Sequence, residues 1–139
     1  MVINIRILTP ERIICSTVAD EIVLPGETGL VGVLDGHAPL ITSLDTGLLR
    51  IKLNKKWTPI LLFGGIAEIN QNRVTILVNA VEEFTDVKLS LSEATKELEN
   101  AILAVDNAET SKDRLDTLLE LKKATARLEG INYLSLNNR

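Results

Sequence analysis

The stretch "IAEINQNRVTILVNAV", residues 66–81, decides the fold class. Two runs rich in β-branched and aliphatic residues flank Asn70, Gln71 and Asn72, side chains that accept the geometry of a tight turn. The segment therefore reads as a β-hairpin. Similar runs precede it: "INIRIL" (3–8), "DEIVLPG" (20–26), "GLLRIKL" (47–53) and "WTPILLF" (57–63). Short strand-like runs between turn signals predict an antiparallel sandwich or barrel. Pro59 inside one run points to an edge position or a bulge.

The chain then changes character. All four prolines and seven of the eight glycines lie at or before Gly65, and only Gly130 follows. From about Leu89 the apolar period lengthens from two to near 3.6. Leu91, Ala94, Leu98, Ala101, Ile102 and Val105 share one helical stripe, with Ser90 or Ser92 placed to cap its start. "DNAETS" (106–111) breaks the run. Leu118, Leu121, Ala124, Leu128 and Ile131 form a second stripe, with Gly130 as the expected stop. Two helices of comparable length and a short polar loop make an αα-hairpin. The expected organisation is a β domain over 1–86 and a helical hairpin over 87–139. Such a hairpin has little core of its own, so it must pack on the β domain or on a partner.

Composition excludes several classes. The 139 residues suit one ordinary domain with an appendage, and the 45% hydrophobic content fills a core. That core is aliphatic, because Trp57, Phe63, Phe84 and Tyr133 are the only aromatics. A net charge of −4 and so few stacking platforms argue against nucleic-acid binding. Cys15 is alone, which rules out an intrachain disulfide, and its apolar setting reads as a small buried side chain. "MVINIRILTP" lacks the basic and long apolar regions of a secretory leader. No apolar run approaches 20 residues, so membrane association is expected only through partners.

His37, the one histidine, sits in "GVLDGHAPLITSLDTGLLRI" (32–51). A histidine base needs a nucleophile or an orienting carboxylate, and a metal site needs further ligands. Asp35, Ser43 and Asp45 are near in sequence, yet no nucleophile-elbow pattern and no second histidine accompany them. "GETGLVG" and "DGHAPL" lack the Lys-Ser/Thr ending of a phosphate loop. Gly26, Gly29, Gly32 and Gly36 read instead as turn residues, and His37 as part of a structured loop.

"LPGETGLVGVLDGHAPLITSLDTGLLRI" (24–51), "LLFGGIAEINQNRVTILVNAVE" (61–82) and "LLELKKATARLEGIN" (118–132) together carry a family resemblance. Over essentially its whole length the chain resembles the epsilon-subunit family of F-type ATP synthases, above all its plastid and cyanobacterial branch. The resemblance implies a two-sheet sandwich followed by an antiparallel helical hairpin. It implies a rotor component, without catalysis or cofactor, at the thylakoid membrane on the stromal or cytoplasmic side. Its partners would be the gamma subunit, the c-ring and the alpha/beta catalytic head, which the helices can restrain from hydrolysing ATP. Under it, Gly29, Leu30, Gly32 and the segment Gly36, His37, Ala38 and Pro39 face rotor partners.

Two helical features take their meaning from that resemblance. Lys122, Lys123 and Arg127 cluster against only Glu129 along the chain. By pattern this is a solvated helix face or a basic surface for an acidic partner, and the resemblance favours the second. Relatives that bind ATP carry Ile/Leu-Asp-x-x-Arg-Ala where this chain has "LSLSEA" (89–94). Ser90 replaces the acid and Glu93 the arginine, and a glutamate repels phosphates where arginine pairs with them. ATP sensing is not expected. The alternative from another class is a free-standing β-sandwich adaptor with a partner-binding hairpin.

Overall fold

The computed structural model describes residues 2–83 and 91–137. Phe84, Ser90 and the expected domain boundary at 86/87 lie outside the described residues. These form ten strands followed by two helices, a mainly β fold with a C-terminal helical hairpin, as the sequence predicts.

The strands are β1 (Ile3–Leu8), β2 (Ile13–Ala19), β3 (Glu21–Gly26), β4 (Gly29–Val33) and β5 (Leu40–Leu44). They continue as β6 (Gly47–Leu53), β7 (Lys56–Leu62), β8 (Gly65–Asn70), β9 (Arg73–Val78) and β10 (Val81–Glu83). One layer runs β10-β7-β6-β3, with β4 on β3, and the other runs β5-β8-β9-β1-β2. Among the described residues one pairing, Gly26 with Leu44, links the layers through β3 and β5. Alternate residues point inward: Ile3, Ile5 and Ile7 of β1, Ile69 of β8, and Val74 and Ile76 of β9 meet Ile22, Leu24, Leu49 and Leu62 in one aliphatic core. Period-two patterning therefore fixes the register, since a one-residue slip would turn these side chains to water.

Several local expectations are met or corrected. Gln71 and Asn72 have φ of 48° and 59°, so the β8–β9 turn is the tight hairpin that the sequence predicts. Asn54 and Lys55 make a second turn of this kind between β6 and β7. Pro59 pairs with Arg50 of β6, while β10 pairs only with Ile60–Leu62, so the missing N–H breaks no described ladder. The sandwich is not wholly antiparallel: β1 lies parallel to β9, Asn4 opposite Arg73. Antiparallel hairpins join neighbours in sequence, whereas this pairing joins the two ends of the domain, 69 positions apart by register. Gly32 is a strand residue with open space around it, not a turn residue.

Helix α1 spans Leu91–Asp106 and α2 spans Ser111–Asn137. At 16 and 27 residues they are about 24 and 40 Å long, and so not of comparable length. Ser92 is the second residue of α1. The cap of α2 is Thr110, whose Oγ1 accepts the Asp113 N–H at 3.0 Å. Gly130 does not end α2. A glycine costs about 1 kcal/mol in a helix, and packing of Ile131 and Tyr133 beyond it outweighs that.

The hairpin lies on the outer face of β6 and β7. Consecutive apolar residues are the reason: Leu49 faces the core while Leu48 faces out, and Ile60 and Leu62 face the core while Leu61 faces out. Leu48 and Leu61 are directly paired across the strands and are covered by Ala126, with Phe63 and Tyr133 beside them.

Candidate partner-binding surfaces

The loop 34–39 between β4 and β5 carries His37. The His37 N–H donates to the Leu34 carbonyl at 3.1 Å, and Nδ1 lies 2.6 Å from the Ala38 carbonyl oxygen. Gly36, at φ 81°, takes a conformation that disfavours other residues. Its N–H donates to Asn72 Oδ1 at 2.8 Å, and the Asn72 amide donates to Asp35. Thus the β8–β9 turn holds the loop in place. No carboxylate is bonded to the imidazole in this network, and among the described residues no cluster of His, Cys, Asp and Glu is arranged to hold a metal. His37 sits in a structured loop.

The structure divides the candidate rotor surface between the two ends of β4. Gly29 and Leu30 lie at the β3–β4 turn, and Leu30, 64% exposed, lines a groove against α2. Gly36, His37, Ala38 and Pro39 lie past the other end, beside Asn72, with Gly32 between. The loop end continues into an apolar surface that sequence reading did not single out. Leu34 and Ile41 are 59% and 71% exposed. Ile41, Ile66 and Leu77 share the outer face of β5, β8 and β9, as the pairings Ile41–Glu68 and Ile66–Leu77 require. The signal was present in "GIAEIN" and "RVTILV", where apolar residues at successive positions place one of them outside.

Lys122, Lys123 and Arg127 are brought near one another on α2, but each has a partner. Lys122 Nζ donates to Asp45 Oδ2 at 2.9 Å, joining α2 to the β5–β6 turn. Asp45 also accepts the Thr46 N–H at 2.8 Å. The bond from Lys122 holds the Asp45 carboxyl below its usual range, against partial burial, with Thr46 assisting. Arg127 Nε donates to Glu82 of β10 at 2.8 Å, and its Nη1 donates to Glu97 of α1. Partial burial disfavours the guanidinium charge, but the bond to Glu82 and the charges of Glu82 and Glu97 hold its pKa above the ordinary value. Lys123 pairs with Glu120 on its own helix at 3.3 Å and lies over the Phe63 ring, 5.1 Å from its centroid. Glu129, the acid next to them in sequence, instead bonds Arg50 of β6 at 3.3 Å. Arg50 also stacks over Tyr133, 4.9 Å from the ring centroid.

Between α2 and the sandwich runs a groove of about 460 Å³. Pro25, Leu30, Leu48, Leu118 and Leu121 form its apolar walls, and Asp45 with Lys122 and Arg50 with Glu129 bridge across it. Toward the far end of the hairpin, Leu103 and Leu115 are 58% and 69% exposed, with Ile102 and Leu119 also open. Cys15 packs half-buried against the core, and burial, then the charge of Glu83, pushes its thiol up.

Comparison with known proteins places these surfaces in context. The family described as "ATP synthase, Delta/Epsilon chain, beta-sandwich domain" matches residues 2–84. The chain is 73% identical over 135 residues to the chloroplastic ATP synthase epsilon chain of Phaeodactylum tricornutum, covering 97% of this chain and 100% of that one. It is 44% identical over 129 residues to the corresponding chain of Pyropia yezoensis, covering 93% and 95%. In shape it is similar to a chain of the Euglena gracilis mitochondrial ATP synthase, in a structure of OSCP, F1 and the c-ring. There the TM-score is 0.77 at 19% identity, over 94% of this chain and 81% of that one.

Proposed function

The chain belongs to the ATP synthase delta/epsilon-chain family, and from that premise we propose that it is a non-catalytic rotor subunit of a plastid ATP synthase. Its partners are the gamma subunit, the c-ring and the alpha/beta head, and it reaches the thylakoid membrane, on the stromal side, through them. Residues 1–86 hold the rotor and residues 87–139 restrain ATP hydrolysis. Leu30 with Gly29 and Gly32, and the loop Gly36, His37, Ala38 and Pro39, are the rotor-facing residues on the sandwich. The exposure of all of these but His37, which is half-buried, and the fixed geometry of the loop support that role.

One observation carries the regulatory part. The hairpin is fastened to the sandwich by a small apolar contact, Ala126 on Leu48 and Leu61 with Phe63 and Tyr133 beside them, ringed by ion pairs that are partly exposed, Lys122 with Asp45 the more so and Arg127 with Glu82 the less. Exposed pairs contribute about 0–1 kcal/mol each, so the hairpin can leave without unfolding the sandwich. Meanwhile Leu103 and Leu115 remain open for a partner. Once released, α2 alone reaches about 40 Å. A partner shifts such an equilibrium only through its different affinity for the two forms. Lys122, Lys123 and Arg127, turned to an acidic segment of the head, supply part of that difference.

The test is ATP hydrolysis by complexes reconstituted with native chain or with K122Q/K123Q/R127Q, at matched subunit content. Hydrolysis is expected to rise several-fold with the variant while assembly through the sandwich is unchanged. Equal rates would overturn the role of the basic residues. The adaptor alternative has no observation of its own in its favour.

A further inference from the structure

Of the clustered cations Lys122, Lys123 and Arg127 on α2, two are neutralised by carboxylates from other elements. Lys122 is held by Asp45 of the β5–β6 turn, and Arg127 by Glu82 of β10 and Glu97 of α1. Lys123 differs, because its carboxylate, Glu120, travels on the same helix. Along the chain these acids lie 77, 45 and 30 residues from the cations they meet. Nothing in the local pattern of α2 announces them. They converge because Ala126, between Lys122 and Arg127, is pressed onto Leu48 and Leu61. That contact sets one turn of α2 against the acidic end of the sandwich.

We propose that Asp45, Glu82 and Glu97 act as an internal substitute for an acidic partner segment, masking Lys122 and Arg127 while the hairpin is folded down. This rests on the reading above, in which the same cations meet an acidic surface. Release of the hairpin is then an exchange of one set of carboxylates for another. In such an exchange the cations are paired before and after, so the internal acids subtract from what the cations contribute to partner binding, and only the surplus favours release. The apolar contact at Ala126 opposes it. The charges of Lys122 and Arg127 are offered in full only when the hairpin has left its seat, because in the folded chain each already faces a carboxylate of another element. Removing the masking acids should therefore strengthen binding to an acidic partner, while removing the cations weakens it.

The experiment uses the full-length chain and a fluorescent oligoglutamate peptide as the probe, at low salt. Asp45→Asn, Glu82→Gln and Glu97→Gln together keep side-chain shape, and the carboxamide oxygen introduced by Asp45→Asn can still accept the Thr46 N–H. A control with Glu11→Gln, Glu27→Gln and Glu68→Gln makes the same change in net charge at exposed positions elsewhere. The masking variant should bind the probe about tenfold more tightly than this control, since three weak pairs sum to about that factor. Adding Lys122→Gln and Arg127→Gln should abolish the gain. Amide exchange along 111–134 should quicken in the masking variant while exchange across β1 and β9 stays as in the native chain. Probe binding equal to the charge-matched control would overturn the proposal. Tighter probe binding without stronger restraint of hydrolysis in the assembled enzyme would leave masking standing and would sink the assigned role of the basic face.

Discussion

Asn72 Oδ1 accepts the Gly36 N–H at 2.8 Å, across 36 positions of sequence. One residue thus serves two structures. Its backbone, at φ 59°, turns β8 into β9, and its side chain holds the loop that presents His37. Replacing Asn72 with glycine keeps the turn and removes only the tether. Exchange of the Gly36 amide should quicken about tenfold, with a loss of stability near 1 kcal/mol. Exchange unchanged at Gly36 would show that the loop holds itself.

Gly65 has φ 154°, and a Cβ there would stand 2.2 Å from the Leu77 carbonyl oxygen and 3.0 Å from Val78 Cα. Both atoms are backbone of the paired strand, so no side chain can give way. Gly65→Ala should cost about 3 kcal/mol or more, read as a fall in Tm of roughly 10 °C. A variant as stable as the native chain would contradict the close approach of β8 and β9.

Ala126→Asp tests the seat of the hairpin. The new carboxylate would face Leu48 and Leu61, which are 4% and 0% exposed, while Arg50 in the same groove is already paired with Glu129. Burying it unpaired costs more than the surrounding pairs return, so the helix should lift instead. Amide exchange is expected to rise throughout 111–134 and to stay slow in β1, β8 and β9. Loss of protection in both parts would mean that sandwich and hairpin fold as one unit.

The bond between Lys122 and Asp45 makes a pH prediction with a definite sign. The Asp45 carboxyl is held below its ordinary value of 3.8 in the folded chain. A group depressed in this way stabilises the fold above its unfolded value and loses that contribution as pH falls through the folded one. Docking of α2 should therefore be flat from about pH 8 to 5 and weaken below about pH 4. In Asp45→Asn the acid loss should be smaller. Docking that changed between pH 6 and 8 in the native chain, or an unaltered acid limb in the variant, would assign the dependence elsewhere.

Much of the architecture was legible along the chain. The β8–β9 hairpin and the break at 106–111 follow from local patterns and appear where the pattern puts them, and the period of 3.6 beyond the strands is that of α1 and α2. Strands β2, β4 and β5 were less legible. Their apolar residues are few or outward-facing, so alternation is weak where a strand lies at an edge or presents a surface. The end of α2 was misplaced because Gly130 is a stop only when nothing beyond it packs. Ile131 and Tyr133 do pack.

The candidate surfaces divide in the same way. Local sequence determined that residues 34–39 form a turn-rich loop and that Lys122, Lys123 and Arg127 share a short stretch of one helix, because both depend on neighbours within a few residues. Only the tertiary structure decided that Asn72 holds the loop, that β1 runs parallel to β9, and that Asp45, Glu82 and Glu97 neutralise cations read along the chain as an open basic patch. Those partners come from 30 to 77 positions away. No periodicity reaches so far, and what brings them together is burial of apolar surface, a force without direction that leaves the choice of polar neighbours to the shape of the packed chain.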